Sequence, residues 1–204
     1  ACLLHRGQSV EDANVILQAD PSAMGVWARA LRDAQGERSI VEVMADFYTS
    51  DRFLVEGEPG ELVPDSARRI PVPRSAEATV WNRWTLAWLR EDWSRQGQTH
   101  RAGSLLAFDT EELLVGPDVA PSTTLFEPTV HEVLEDLTLT RDLVVLTTIR
   151  DVVSHLTVLV PPSSGAAEGG GAWKTVGLDV PGGTDGGARR IATAVVSPVD
   201  KQKS

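Results

Sequence analysis

The feature that most restricts what this chain can fold into is a plan that occurs three times: an apolar run, a polar break, and a second apolar run. It is seen in Ser39 to Val55 (SIVEVMADFYTSDRFLV), with the break at Thr49-Ser50-Asp51. It returns in Thr85 to Phe108 (TLAWLREDWSRQGQTHRAGSLLAF), with a longer break containing Gly97, and in Leu143 to Val160 (LVVLTTIRDVVSHLTVLV), with a break around Arg150-Asp151. Short runs rich in β-branched and aromatic residues, joined by turn-forming residues, make β-hairpins. The three starts are spaced by roughly 45 and roughly 60 residues, and a four-stranded propeller blade takes about 40–50. The pattern therefore predicts an all-β chain of antiparallel sheets, blade after blade.

Shorter strand candidates lie between the hairpins: Asn14 to Leu17, Gly25 to Leu31, Arg69 to Val72, Thr123 to Phe126, Trp173 to Val176 and Ile191 to Val196. The opening Ala1-Cys2-Leu3-Leu4-His5-Arg6 also reads as strand. Two stretches leave helix and strand open on pattern alone. Trp81, Trp84 and Trp88 are spaced by three and four, as are Val130, Val133, Leu134 and Leu137, and that is helical periodicity. One short helix is better marked. Asp109 can cap it, Glu112 follows three residues later, Leu113 and Leu114 come next, and Gly116 can close it. Pro161 to Gly171 and Pro181 to Gly187 read as loops, and Asp200 to Ser204 as a polar tail.

Composition narrows the function. The chain has 204 residues, a formal net charge of −10 and 42% hydrophobic residues. That is globular composition, and the acidity argues against a nucleic-acid partner or an anionic membrane surface. No apolar run approaches the roughly 20 residues of a membrane helix. The lone Cys2 allows neither an internal disulfide nor a thiolate metal site, which suits a reducing compartment, and a cytoplasmic location is the expectation.

Several short segments occur in a telling order: Asp51-Arg52-Phe53-Leu54-Val55, Leu89-Arg90-Glu91-Asp92-Trp93, Ala102-Gly103-Ser104-Leu105-Leu106-Ala107-Phe108-Asp109, Leu125-Phe126-Glu127-Pro128-Thr129 and Thr140-Arg141-Asp142. In that order and spacing the chain, from about Val15 to Asp200, resembles the N-terminal propeller of bacterial members of the prolyl oligopeptidase family of serine peptidases. The resemblance implies that Thr85 to Arg90 and Leu137 to Ile149 are strands. It implies a seven-bladed parent propeller seated over an α/β-hydrolase domain, whose Ser-Asp-His triad cleaves short peptides after proline. The propeller's work there is steric, filtering which peptides reach the triad. A whole propeller of this blade size needs on the order of 300 residues. Residues 1–204 are therefore expected to be a partial propeller domain of about four blades, cut at both ends or the product of a truncated gene, with the hydrolase domain absent.

A triad serine needs a tight strand-to-helix elbow flanked by glycines. Neither G-x-S-x-G nor G-G-S-x-G-G occurs here, and Ser163-Ser164-Gly165 lies in a flexible stretch. No catalytic, cofactor-binding or metal-binding residue is assigned, and the chain alone is expected to be inactive. His5, His100, His131 and His155 fall in no metal spacing. His155 alternates with apolar neighbours and reads as a half-buried strand residue, while His100 and His131 read as solvated loop residues. Asp46, Asp51, Asp92, Asp109, Glu111, Glu112, Glu135 and Asp136 fall mostly in turns and caps, where carboxylates bond backbone N–H groups, and not as a facing acid/base pair. Trp81, Trp84, Trp88 and Trp93 could form a stacking platform for sugar or peptide, but packing between blades is the favoured role. Gly169-Gly170-Gly171 does not open a helix after a strand, as a phosphate loop would. The expected partners are the peptide substrate of the parent enzyme, the missing hydrolase domain, and other copies of the chain through open blade faces. The alternative is a stand-alone propeller that binds or scaffolds without peptidase activity.

Overall fold

The computed structural model describes residues 1–33, 35–57, 66–162 and 172–177, which form two compact units, Ala1–Thr124 and Leu125–Ser204. Among the described residues the regular structure is nearly all strand. In the first unit, β1 (Cys2–Leu3) and β2 (Asn14–Val15) pair antiparallel around a 3-10 turn at Val10–Asp12. Then β3 (Gly25–Asp33), β4 (Gly36–Met44), β5 (Ser50–Glu56) and β6 (Arg68–Arg69) form a four-stranded antiparallel meander in chain order, the first sheet.

The second sheet is built from β7 (Glu77–Trp81), β8 (Trp84–Trp88), β11 (Leu105–Asp109) and β12 (Ser122–Phe126). Between β8 and β11 the chain makes a small separate hairpin, β9 (Trp93–Arg95) with β10 (Gln98–His100). Its two-residue turn, Gln96-Gly97, has φ of 51° and 75°, the left-handed pair that a tight hairpin turn demands. The expected helix is present as α1 (Thr110–Val115). The Asp109 carboxylate accepts from the Glu111 and Glu112 amides, and the Gly116 amide donates to the Glu112 carbonyl.

In the second unit, β13 (Glu132–Leu139), β14 (Val144–Arg150), β15 (Val153–Val160) and β16 (Lys174–Gly177) form a third four-stranded meander. Three sheets of four antiparallel strands follow one another, which is consistent with the all-β, partial-propeller architecture expected. The expected strand at Ile191 to Val196, the loop at 181–187 and most of the loop at 161–171 lie outside the described residues.

Both faces of the first sheet are covered, and the sequence shows how. Adjacent residues of a strand point to opposite faces. Ile40 and Leu54 join Ile70, Val80, Ala87, Leu106 and Phe108 in the core shared by the first and second sheets. Their chain neighbours Val41 and Val55 join Ile16, packed by Leu3 and Leu17 of the N-terminal segment, on the opposite face. Phe108 and Leu54 are fully buried. Burying one such side chain contributes about 1.5–3 kcal/mol.

The turns differ from expectation by a few residues. The break in the first hairpin runs from Ala45 to Thr49, and Ser50-Asp51 already belong to β5. Asp46 sets it, because its side chain collects the Tyr48 and Thr49 amides and the Thr49 hydroxyl. In the third hairpin the turn is Asp151-Val152, both with positive φ.

Candidate functional site

The geometry divides the singled-out residues into three groups: those that hold the sheets together, those that shape turns, and those that stay in solvent. Among the described residues Asp33 and Arg38 are the most buried ion pair, with side chains only 10% and 6% exposed. Asp33 ends β3 and Arg38 lies two residues into β4, with the Arg38 Nη2 to Asp33 Oδ2 distance at 2.5 Å. Arg38 also donates to the Asn82 carbonyl at 2.7 Å, and the Asn82 amide donates to Asp33 Oδ2 at 2.8 Å. Asn82 stands at φ 50° in the β7–β8 turn, a conformation asparagine tolerates better than most residues. The trio thus ties the turn of the first sheet to the turn of the second. Arg29 adds a bond to Thr79 at 2.6 Å, from β3 to β7. Pattern reading missed this device, because Asp33 and Arg38 are ordinary hairpin-end charges in sequence and only the fold buries them.

A second charged cluster ties α1 to the first sheet. Arg68 binds both Glu111 and Glu56. The hydrogen bond from Arg68 holds the Glu111 carboxyl below its usual range, and the two carboxylates raise the Arg68 guanidinium. Arg95 is different. Burial lowers its guanidinium, which lies over the rings of Trp93 and Phe108 and donates to the Pro117 and Ala120 carbonyls at 2.8 Å.

Of the histidines, His155 is a half-buried residue of β15, as expected. His131 is exposed, 3.2 Å from Asp151. The reading of His100 as a solvated loop residue is corrected: it ends β10 opposite Trp93, 6% exposed. The hairpin inserted between β8 and β11 explains this, since it folds what looked like a polar loop back into register. Among the described residues no group of three or more His, Cys, Asp or Glu could hold a metal ion.

The carboxylates go mainly to turns, caps and ion pairs. Asp46 closes a turn, Asp92 accepts from the Ala102 amide, and Asp109 caps α1 while binding Arg83. Asp51 is neutralised by Arg69 at 2.7 Å and Arg74 at 2.8 Å. Glu135 falls at the irregularity where β13 shifts register, and Asp136 accepts from Thr138. The tryptophans separate. Trp93 packs on the core shared by the first two sheets, tilted against Phe108 with ring centres 5.9 Å apart. Ladder register places Trp84 and Trp88 with Leu86 on the opposite face of the second sheet, and Trp81 beside Trp84 across the turn. Gly169-Gly170-Gly171 lies outside the described residues.

A cavity of about 270 Å³ opens between residues 17–23 and the first sheet, lined by Leu17, Ala23, Val43, Phe53, Asp51 and Arg74 among others. Its carboxylates are already engaged. Asp51 holds two arginines, and Asp20 binds the Ser22 amide and hydroxyl, which lowers its carboxyl below the usual range. It therefore reads as a surface recess and not as an acid/base centre.

No family model matches the chain. It is 28% identical over 155 residues to the uncharacterized peptidase RP174 of Rickettsia prowazekii (strain Madrid E), covering 74% of this chain and 21% of that protein. It is 26% identical over 161 residues to the uncharacterized peptidase y4nA of Sinorhizobium fredii (strain NBRC 101917 / NGR234), covering 76% of this chain and 21% of that protein. Among solved structures it resembles a post-proline cleaving enzyme from Rickettsia typhi, with a TM-score of 0.71 and 25% identity, over 86% of this chain and 25% of that one. The chain thus spans about a fifth of the length of the curated relatives it matches. The resemblance to the prolyl oligopeptidase family holds.

Proposed function

We propose that these 204 residues are part of the propeller of a prolyl oligopeptidase-like serine peptidase that cleaves short peptides after proline. In this reading the propeller portion filters substrate sterically and contributes no member of the triad. The observation that carries the reading is the likeness, across 86% of the chain, to a post-proline cleaving enzyme, made by successive four-stranded antiparallel sheets. Three further facts support it. The sequence has no nucleophile elbow. Most of the carboxylates described above are engaged in turns, caps and ion pairs. Two adjacent sheets share a continuous core, as blades do.

The test is turnover of a short fluorogenic peptide containing proline, by the 204-residue chain and by the polypeptide of the whole reading frame that contains it. The expected result is no turnover by the chain and turnover by the long form, abolished by a serine-directed covalent inhibitor. Turnover by the chain alone would sink the proposal, because no residue assigned here could carry it. A long form that binds but never cleaves such peptides would favour a binding propeller instead.

A further inference from the structure

One end of the first sheet carries an aromatic tip that, among the described residues, stays largely exposed. The turn from Ala45 to Thr49 is held by a single side chain. Asp46 Oδ1 accepts from the Tyr48 amide at 2.7 Å and the Thr49 amide at 2.8 Å, while Oδ2 accepts from the Thr49 hydroxyl at 2.8 Å. The Ala45 amide closes it on the Thr49 carbonyl at 3.0 Å. A turn so restrained has little freedom to fold its side chains inward, and Phe47 and Tyr48 stand 81% and 86% exposed. Beside them at the same end are Met24 and Trp27, 43% and 66% exposed. Met24 donates its amide to the Met44 carbonyl at 2.8 Å, and the Trp27 indole N–H lies 2.8 Å from the Met44 sulfur.

Scattered exposed apolar residues are ordinary, but a group of this size marks an interaction surface. Large aromatics on a pre-ordered turn lose little side-chain freedom on binding, which is the composition of an interface hot spot. Around the tip Glu42 pairs with Arg52 at 2.7 Å and Asp51 with Arg69 and Arg74, while the Asp46 carboxylate is held by three hydrogen bonds inside the turn. An apolar partner that covers the rings and leaves the Asp46 carboxylate at a wet rim strands no charge. The matched relatives are roughly five times as long as the region they share with this chain. A partner on the same polypeptide has the advantage of high effective concentration. A second copy must overcome the repulsion of two chains of net charge −10.

We propose that Phe47 and Tyr48, flanked by Met24, Trp27 and Met44, form an intramolecular docking point that inserts into an apolar hollow on the part of the same polypeptide beyond these residues. The proposal rests on reading the chain as a piece of a longer peptidase.

The test is photo-cross-linking in the polypeptide of the whole reading frame, with p-benzoylphenylalanine placed at position 47 and, as a control, at the exposed Val10. The expected result is a link within one polypeptide from position 47 to a residue outside 1–204, and no such link from position 10. Adding Trp27→Ser and Tyr48→Ser should lower the linked fraction by about tenfold or more, in line with the loss of interface hot spots. Links between two copies, no link, or a reading frame that adds nothing to these residues would each overturn the proposal. Cleavage after proline by the unlabelled polypeptide, measured in parallel, separates the two readings. Turnover without the link sinks the docking point alone. The link without turnover sinks the peptidase reading and keeps the docking point.

Discussion

Replacing Asp33 by alanine tests whether the first two sheets are clipped together by a buried charge. In the native chain Arg38 is only 6% exposed, with Asp33 as its counter-ion and the Asn82 carbonyl as a second acceptor. Asp33→Ala leaves the guanidinium buried with one carbonyl acceptor, and it removes the acceptor at 2.8 Å from the Asn82 amide as well. Removing one partner of a buried pair costs about 3–5 kcal/mol, whereas an exposed pair contributes about 0–1. With a urea m value of about 2 kcal/mol per M for a chain of this size, the midpoint should fall by roughly 1.5–2.5 M. Glu77→Ala, which breaks the exposed bridge to Arg90, should shift it by less than about 0.5 M. The double variant Asp33→Leu/Arg38→Met removes both charges and should recover the part of the loss that comes from the unpaired charge, because apolar side chains of similar volume can replace a buried ion pair at little cost, while the two bonds to the Asn82 backbone stay lost. The assay is urea unfolding by tryptophan fluorescence, with Asp33→Leu, Arg38→Met and their double variant closed into a cycle. An Asp33→Ala midpoint within 0.5 M of native, by the same scale, would refute the reasoning, as would a double variant no more stable than the single one.

Two further outcomes follow from single residues. Val152 holds φ 68° in the two-residue β14–β15 turn and is 95% exposed, so Val152→Gly removes β-branched strain without removing packing, and should stabilise by about 0.5–1 kcal/mol; a loss of stability in thermal or urea unfolding would contradict this. The Asp46 carboxyl is held below its usual range, chiefly by the Tyr48 amide and then by the Thr49 hydroxyl. A depressed folded pKa means that the turn's contribution is present above the ordinary carboxylate value of about 3.9 and is lost as pH falls through the depressed one. NMR line positions of Tyr48 should therefore stay constant from neutral pH to about 5 and move only below about 4, whereas a transition near pH 6 would show that Asp46 is not what holds the tip.

The places where pattern reading stalled show how a sheet can imitate a helix. Trp81, Trp84 and Trp88 have helical spacing, yet Trp81 and Trp84 are cross-strand partners closing a two-residue turn, and Trp84 and Trp88 are two strand periods apart on one face. A spacing of three is thus supplied by the hairpin loop, and a spacing of four by the strand. The second imitation comes from a bulge. Leu134 pairs with Thr148 and Leu137 with Leu146, and Thr148 and Leu146 are two apart on the same face of β14. The extra residue Glu135 shifts the phase of β13, so two residues three apart in sequence reach the same face. Such features are invisible to periodicity because they are set by the partner strand. What is legible are the runs themselves: Ile40-Val41 and Leu54-Val55 are consecutive and all buried, as in a strand whose sheet is covered on both faces. The same logic explains why the candidate site was the least legible part. Asp33, Arg38 and Asn82 meet through two turns that are more than forty residues apart. By apolar pattern the exposed Phe47-Tyr48 continues the run before it, although Asp46 with Thr49 three residues later is the local signal of the turn that holds both rings in water.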